Sequence, residues 1–133
     1  FQALRIFVNK ELTELMLGLI AASKLLPRGG VLIVVSFHSI EDKIVKNFFN
    51  LYSNLKKNPS RYLPLNETKP NLFNLISKKP LIPNRKEIIE NIRSRSAKLR
   101  YGIRTNEMFF NPKDLISKFD NYFQLEKVKV WDL

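Results

Sequence analysis

The sequence has no cysteine, and it has one histidine, His38, among its 133 residues. The absence of cysteine excludes a disulfide scaffold, a thiolate zinc site and a cysteine nucleophile. A single histidine excludes a multi-histidine metal cluster built within this chain. No apolar run approaches the roughly 18–20 residues that are needed to span a bilayer. These absences predict a protein with no metal site and no membrane segment.

Glycine is also scarce, because the chain has only Gly18, Gly29, Gly30 and Gly102. A glycine-rich loop that follows a strand is the common cradle for a nucleotide or nucleoside cofactor. The one adjacent pair, Gly29 and Gly30, precedes an apolar run instead of following one. The sequence therefore predicts no cofactor-binding residue in this chain.

Positive charge is abundant and is concentrated in the middle of the chain. The formal net charge is +11, and the isoelectric point is near 10.0. Residues 43–104 hold fifteen basic and three acidic side chains, whereas residues 1–42 hold four of each and residues 105–133 hold four basic and five acidic ones. This density favours a polyanionic partner, above all nucleic acid, over a merely solvated surface or an anionic membrane.

The first part of the chain has the pattern of an α/β fold. Apolar residues recur every three or four positions over 4–26, which predicts one long amphipathic helix. The β-branched run at 31–35 predicts a strand that is buried on both faces, as in a parallel sheet. Ser39 and Asp42 resemble a capping box at the start of a second amphipathic helix that reaches Tyr52. This order predicts half of a doubly wound α/β sheet.

The basic middle segment contains weaker signals. Residues 72–76 fit a strand, and Asn84 with Glu87 predicts the capped start of a short helix through Asn91. Residues 97–104 alternate basic and apolar side chains, which predicts a strand at the edge of the sheet with a positively charged side.

The last part of the chain contains two further patterns. Leu115, Ile116 and Phe119 have helical spacing. Residues 125–131 alternate apolar and charged side chains, which predicts a final strand.

A polar cluster, Ser36, His38 and Ser39, lies where the predicted strand is followed by the second helix. Ligands of open α/β sheets bind at the carboxyl ends of the strands. His38 is the catalytic candidate, because an imidazole can hydrogen-bond a base edge or assist removal of a proton. The alternative is that Ser39 caps the helix and that His38 makes only local hydrogen bonds. No nucleophile elbow is present, which disfavours a serine hydrolase.

The densest basic stretch is residues 93–100, in which arginine and serine alternate at its start. Guanidinium groups and hydroxyls both suit phosphate oxygens. The alternative is a charged edge strand that prevents aggregation. The candidate phosphate ligands are Arg93, Arg95, Ser96, Lys98 and Arg100.

Four segments carry a family resemblance: residues 1–6 (FQALRI), Gly29 with Gly30, residues 36–46 (SFHSIEDKIVK) and residues 93–100 (RSRSAKLR). In this order and spacing they resemble the RsmH (MraW) family, the ribosomal RNA small subunit methyltransferase H group. The resemblance covers residues 1–104 and leaves residues 105–133 as a divergent C-terminal extension. Because the chain opens inside a motif and without Met, we expect it to be a piece of a longer protein.

The resemblance implies a class I, Rossmann-like fold and a cytoplasmic enzyme. That enzyme would transfer a methyl group from S-adenosylmethionine to the N4 amine of a cytidine in 16S rRNA. This chain would be its C-terminal part, without the cofactor-binding half, and we expect it to be inactive alone. Ser36, His38 and Ser39 would line the base pocket, and the basic stretch would hold the RNA backbone.

A sheet that lacks its central strands would leave an unpaired edge, so we expect aggregation or a homodimer. Two other functions remain open from the sequence. One is a non-enzymatic basic RNA-binding module, and the other is a basic protein that docks on an acidic protein partner.

Overall fold

The computed structural model describes residues 2–53 and 70–127. These residues form six α-helices, one 3-10 helix and three strands. Their order is α1 (Gln2–Asn9), α2 (Glu11–Leu25), β1 (Val31–Ser36), α3 (Ser39–Tyr52), β2 (Phe73–Asn74), α4 (Arg85–Glu90), the 3-10 helix (Ile92–Ser96), β3 (Lys98–Arg104), α5 (Lys113–Lys118) and α6 (Asp120–Lys127). No helix in these two ranges is long and apolar enough to cross a membrane.

The three strands form one antiparallel sheet in the order β1-β3-β2. The mixed α/β composition that the sequence predicts is confirmed, but β1 has an antiparallel partner instead of a parallel one. β3 runs back along β1, with Val31 opposite Ile103 and Ser36 opposite Lys98. The prediction that residues 97–104 form an edge strand is wrong, because β3 lies between the other two strands. The edge strands are β1 and β2.

One residue interrupts the predicted long helix over 4–26. Lys10 has φ 53° and ψ 37°, the left-handed conformation, and therefore ends α1 and precedes α2. The side chain of Lys10 makes no cap for α2. Instead, the carboxylate of Glu126 accepts the backbone N–H groups of Leu12 (3.0 Å) and Thr13 (2.9 Å). The apolar spacing continues across the break, so periodicity alone does not reveal it.

The core lies on the face of the sheet that α3 covers. Phe48, Phe49 and Tyr52 of α3 are buried and meet Phe73 of β2 in edge-on or tilted ring contacts. Gly102 of β3 makes this packing possible, because a Cβ there would lie 2.9 Å from a ring carbon of Phe49. Edge-to-face aromatic pairs add to the free energy gained by burying the rings.

The opposite face of the sheet is open in the described part of the chain. Val31, Ile33 and Val35 of β1 are 48%, 58% and 49% exposed. The prediction that this strand is buried on both faces is therefore wrong here. Because side chains alternate along a strand, only Leu32, Val34 and Ser36 point toward α3.

Residues 105–127 fold back onto the core. Leu115, Phe119 and Phe123 are buried with the α2 and α3 side chains, so the predicted helical spacing near 115–119 is confirmed. The predicted strand over 125–131 is wrong at 125–127, which belong to α6. The remainder of that segment lies outside the described residues.

Two local predictions in the basic segment are tested by the structure. Asn84 is the N-cap of α4, and its Oδ1 accepts the backbone N–H of Glu87 at 2.9 Å, as predicted. Of the predicted strand at 72–76, Phe73 and Asn74 pair with β3.

Candidate functional site

The predicted polar cluster and the basic stretch meet at one end of the sheet. The antiparallel register places the last residue of β1, Ser36, opposite the first residue of β3, Lys98. The Ser36 hydroxyl is 3.5 Å from the Lys98 carbonyl oxygen, to which it donates. The turn into α3 and the 3-10 helix before β3 therefore lie at this same end. We call residues 36–39 and 92–98 together the β1 end.

His38 caps α3 with its own ring. Its backbone is extended, and its Nδ1 accepts the Glu41 N–H at 3.3 Å. Ser39, the predicted cap, is instead the first residue of the helix and is exposed. The predicted capping box of Ser39 and Asp42 is therefore wrong by one position. The capping pair is His38 with Glu41.

Glu41 closes the same turn from the other side. One of its oxygens accepts the Phe37 N–H at 3.1 Å, and the other lies 3.1 Å from His38 Nε2. The His38 side chain is only 9% exposed. Both ring nitrogens thus face Glu41, and the turn at residues 37–41 is fixed by these contacts.

Glu11 of α2 lies close to His38 and Glu41. Each of the three residues has one nitrogen or oxygen atom that could bind a metal ion, and these atoms lie within 4.8 Å of one another. Burial raises the pKa of Glu11, but hydrogen bonds from Asn9 and Arg5 and the charge of Arg5 outweigh it, so the pKa lies below its usual value. Because Nδ1 accepts the Glu41 N–H, the ring proton of neutral His38 lies on Nε2. Nε2 therefore has no lone pair for a metal ion in this conformation.

Arg100 and Lys98 are paired inside the fold. Asp42 is 8% exposed, and its carboxylate accepts from Arg100 Nε at 2.8 Å and from Lys98 Nζ at 3.3 Å. Arg100 also donates to the Lys78 carbonyl oxygen at 2.8 Å. Burial raises the pKa of Asp42, but the hydrogen bonds and charges of Arg100 and Lys98 outweigh it and lower the pKa. Arg100 is 10% exposed, so little of it reaches the surface, whereas Lys98 is 40% exposed.

Arg93 and Arg95 point away from the fold. Both are exposed, and within residues 2–53 and 70–127 their guanidinium groups have no partner. Ser94 between them is buried, and its hydroxyl donates to the Asn91 carbonyl oxygen at 2.8 Å. Ser96 is exposed. The 3-10 helix thus turns serine inward at 94 and presents two arginines to solvent.

A cavity of about 380 Å³, which no sequence pattern predicts, lies beside His38. Its walls come from α1, the start of α2, the turn into α3, and Tyr122 and Leu125 of α6. α6 lies in the segment that the family resemblance does not cover, so its place beside His38 could not be inferred from the motifs.

The four glycines do not form a nucleoside cradle at this site. Gly29 and Gly30 lie in the turn before β1, at the opposite end of the strand from His38. Gly18 is inside α2, and Gly102 packs against Leu75 and Phe49. These residues do not fit an S-adenosylmethionine-type cofactor, and we derive no chemical step in this chain through such a group.

The sequence pattern of the MraW methylase family matches residues 1–105. A Ruegeria protein named ribosomal RNA small subunit methyltransferase H is 51% identical over 106 residues, which are 80% of this chain and 32% of the relative. Proteins of the same name from Bartonella bacilliformis and Rhodopseudomonas palustris are 53% and 49% identical, over 79% and 86% of this chain and 31% and 34% of their own lengths.

The chain spans about a third of the length of these relatives. The match includes the β1 end, with His38 and the arginines of the 3-10 helix, and stops where residues 106–127 fold back onto the core. The resemblance that the four motifs indicate is confirmed, and the chain belongs to the MraW methylase family.

Proposed function

We propose that this chain is the RNA-facing, C-terminal part of a methyltransferase that acts on the RNA of the small ribosomal subunit. The target is the N4 amine of a cytidine in 16S rRNA, and the methyl donor is S-adenosylmethionine. The observation that carries this proposal is that two arginines, unpaired among the described residues, lie at the same end of the sheet as the turn at His38. The relatives' names support the substrate class.

Arg93, Arg95 and Ser96 are the groups that we assign to the RNA backbone. Exposed guanidinium groups bind phosphate oxygens in a bidentate manner. Lys98 is 40% exposed and can also contact the RNA backbone, but its ammonium group already forms an ion pair with Asp42. Arg100 contributes indirectly, because its ion pair with Asp42 ties β3 to the start of α3. We therefore give Arg100 a positioning role instead of the direct phosphate contact that the sequence predicts.

Ser36, His38 and Ser39 are the groups that we assign to the target base, Ser39 by direct contact and the buried Ser36 and His38 by positioning the turn. A base within a stack must leave it to reach a methyl donor, and the enzyme then orients the poorly nucleophilic amine. Ser39 is exposed and can contact such a base directly. His38 acts by fixing the turn, because both its nitrogens face Glu41. A direct proton transfer at His38 would first require the loss of the α3 cap.

The cofactor-binding residues lie outside this chain in our proposal, so the chain alone is inactive. The open face of the sheet, with Val31, Ile33 and Val35, is the surface against which the remainder of a Rossmann-like domain packs. The outer edge of β1 has no strand partner in the described residues, and a parallel strand of that domain would pair with it. Without that remainder, the same edge and face are available for a homodimer.

A chimeric enzyme tests the proposal. The C-terminal third of the Ruegeria relative is replaced by this chain, and methylation of 16S rRNA is followed by mass spectrometry of the released nucleosides. We expect N4-methylcytidine, with the unaltered Ruegeria protein as the positive control. A folded chimera that leaves cytidine unmethylated, when the Ruegeria protein methylates it, would contradict the proposal.

The second candidate is an RNA-binding module without enzymatic activity. The two unpaired arginines favour this function as much as they favour the first. The chimera separates the two, since an RNA-binding module would retain RNA affinity and transfer no methyl group.

A further inference from the structure

Phe37 differs from the other phenylalanines of the chain. The structure describes the side chains of eight of the ten, and of these five are buried, two are half-buried and Phe37 alone is exposed, at 56%. No ring in the described residues packs against it, whereas Phe48, Phe49 and Phe73 all have aromatic neighbours. The exposed ring leaves apolar surface in contact with water, so the fold gains little free energy from burying it.

The backbone that carries this ring is held in place. The Phe37 N–H donates to the Glu41 carboxylate at 3.1 Å, and the next residue, His38, caps α3 through Glu41 N–H. β1 ends at Ser36, directly before Phe37, and β1 is paired with β3 along its whole length. A ring presented from a fixed backbone loses little conformational entropy when a ligand binds.

Phe37 lies at the same end of the sheet as the arginines of the 3-10 helix. Phe37 directly follows Ser36, which is opposite Lys98, and the 3-10 helix with Arg93 and Arg95 leads into that lysine. Exposed aromatic rings beside a positively charged surface are the common means by which proteins hold unpaired RNA bases. In such sites the ring stacks on a base while guanidinium groups hold the adjacent phosphates.

We propose that Phe37 is a stacking platform for an unpaired base of the RNA, an inference that rests on the proposed function. Stacking requires a π-face, whereas packing inside a protein requires only apolar volume. A substitution series at position 37 therefore distinguishes a base platform from a residue that merely packs against another part of the protein.

The test uses the 133-residue chain and a short single-stranded oligocytidine that carries one pyrrolocytidine, a fluorescent base that is quenched when it stacks. The variants are Phe37→Tyr, Phe37→Leu and Phe37→Ala. Leu25→Ala is the matched control, because Leu25 is 82% exposed and lies just before the turn that leads to the opposite end of β1. Affinity, quenching and thermal unfolding are measured for each protein.

We expect Phe37→Tyr to retain affinity and quenching, and Phe37→Leu and Phe37→Ala each to lose quenching and on the order of tenfold in affinity. All variants should unfold near the wild-type temperature, and Leu25→Ala should bind as the wild type does. If the Leu variant keeps the affinity and the Ala variant unfolds earlier, the ring packs in the protein and the proposal is overturned.

Two remaining outcomes separate this inference from the proposed function. If the wild type binds with a strong salt dependence but quenching is the same in every variant, Phe37 is not the platform, and the arginine surface stands. If the wild type binds no oligocytidine even at low salt, the RNA-facing role proposed for the β1 end fails, and the inference fails with it.

Discussion

Two groups of cations lie at the same end of the sheet and have opposite surroundings. Lys98 and Arg100 share the buried carboxylate of Asp42, whereas Arg93 and Arg95 point to solvent without a partner in the described part of the chain. We call the first group, with Asp42, the inner cluster and the second group the outer arginines. The sequence places all four within eight residues, so charge density alone does not tell structural cations from binding cations.

The register of the sheet explains the difference. Lys98 and Arg100 are opposite Ser36 and Val34, the β1 residues that point toward α3, and Asp42 lies in the first turn of α3. The outer arginines precede β3 in a 3-10 helix, where Ser94 takes the inward position. The inner cluster should therefore determine stability, and the outer arginines should determine RNA binding.

The largest expected effect on stability is that of Asp42→Ala. The substitution leaves the nearly buried guanidinium of Arg100 without a carboxylate, and breaking such a pair costs about 3 kcal/mol of unfolding free energy. Urea denaturation measures the change. The exposed Glu107→Ala is the control and should change the unfolding free energy little. Equal losses in both variants would contradict a specific stabilising role of the Asp42 ion pair.

A second buried carboxylate, Glu126, extends the comparison to the C-terminal segment. Its side chain is 4% exposed and accepts from the backbone of Leu12 and Thr13 and from the Thr13 hydroxyl at the start of α2. Glu126→Ala should lower the unfolding free energy by about 2 kcal/mol, because α2 then loses its N-terminal cap. Gln124→Ala on the exposed side of α6 should be nearly neutral. If Glu126→Ala is neutral too, the segment is only loosely attached.

Acid should weaken the inner cluster in a defined range of pH. The pKa of Asp42 is lowered in the fold from its ordinary value of 3.8, so its stabilising charge is fully present above 3.8 and is lost as the pH falls through the lower folded value. The stability difference between the wild type and Asp42→Asn should be constant from neutrality to about pH 4 and should shrink below it. A difference that does not change with acid would contradict the ion pair.

The smallest expected effect on stability belongs to the double variant Arg93→Ala, Arg95→Ala. Because both side chains are exposed and have no partner in residues 2–53 and 70–127, the unfolding free energy should change by less than about 0.5 kcal/mol. RNA binding should nevertheless weaken, and the slope of log affinity against log salt should fall by about 1.4 for two lost phosphate contacts on a single strand. An unaltered slope would remove the outer arginines from the RNA surface. Lys113→Ala, another exposed cation, is the matched control.

Local chemistry made several features predictable from the sequence. The Asn84 cap depends on residues three apart, the α3 helix has a clear apolar stripe, and the run at 31–35 forms a strand. The four motifs also indicated the family. Each of these signals is contained within a few neighbouring residues or a known motif.

The features that the sequence did not predict depend on distant contacts. Glu126 accepts a hydrogen bond from Thr13, which is 113 positions away, so the local alternation at 125–127 does not predict that Glu126 caps α2. Arg100 meets Asp42 across 58 positions, because the register of β3 against β1 places it there. The cap at His38 was missed because serine is the preferred capping residue and stood next to it.

The most direct test of the division between RNA-facing and cofactor-binding parts is calorimetric titration of the 133-residue chain with S-adenosylmethionine. We expect no binding by this chain and binding by the chimera with the Ruegeria protein. Saturable binding by the chain alone would contradict the account, because these 133 residues, singly or as a dimer, would then build the cofactor site themselves.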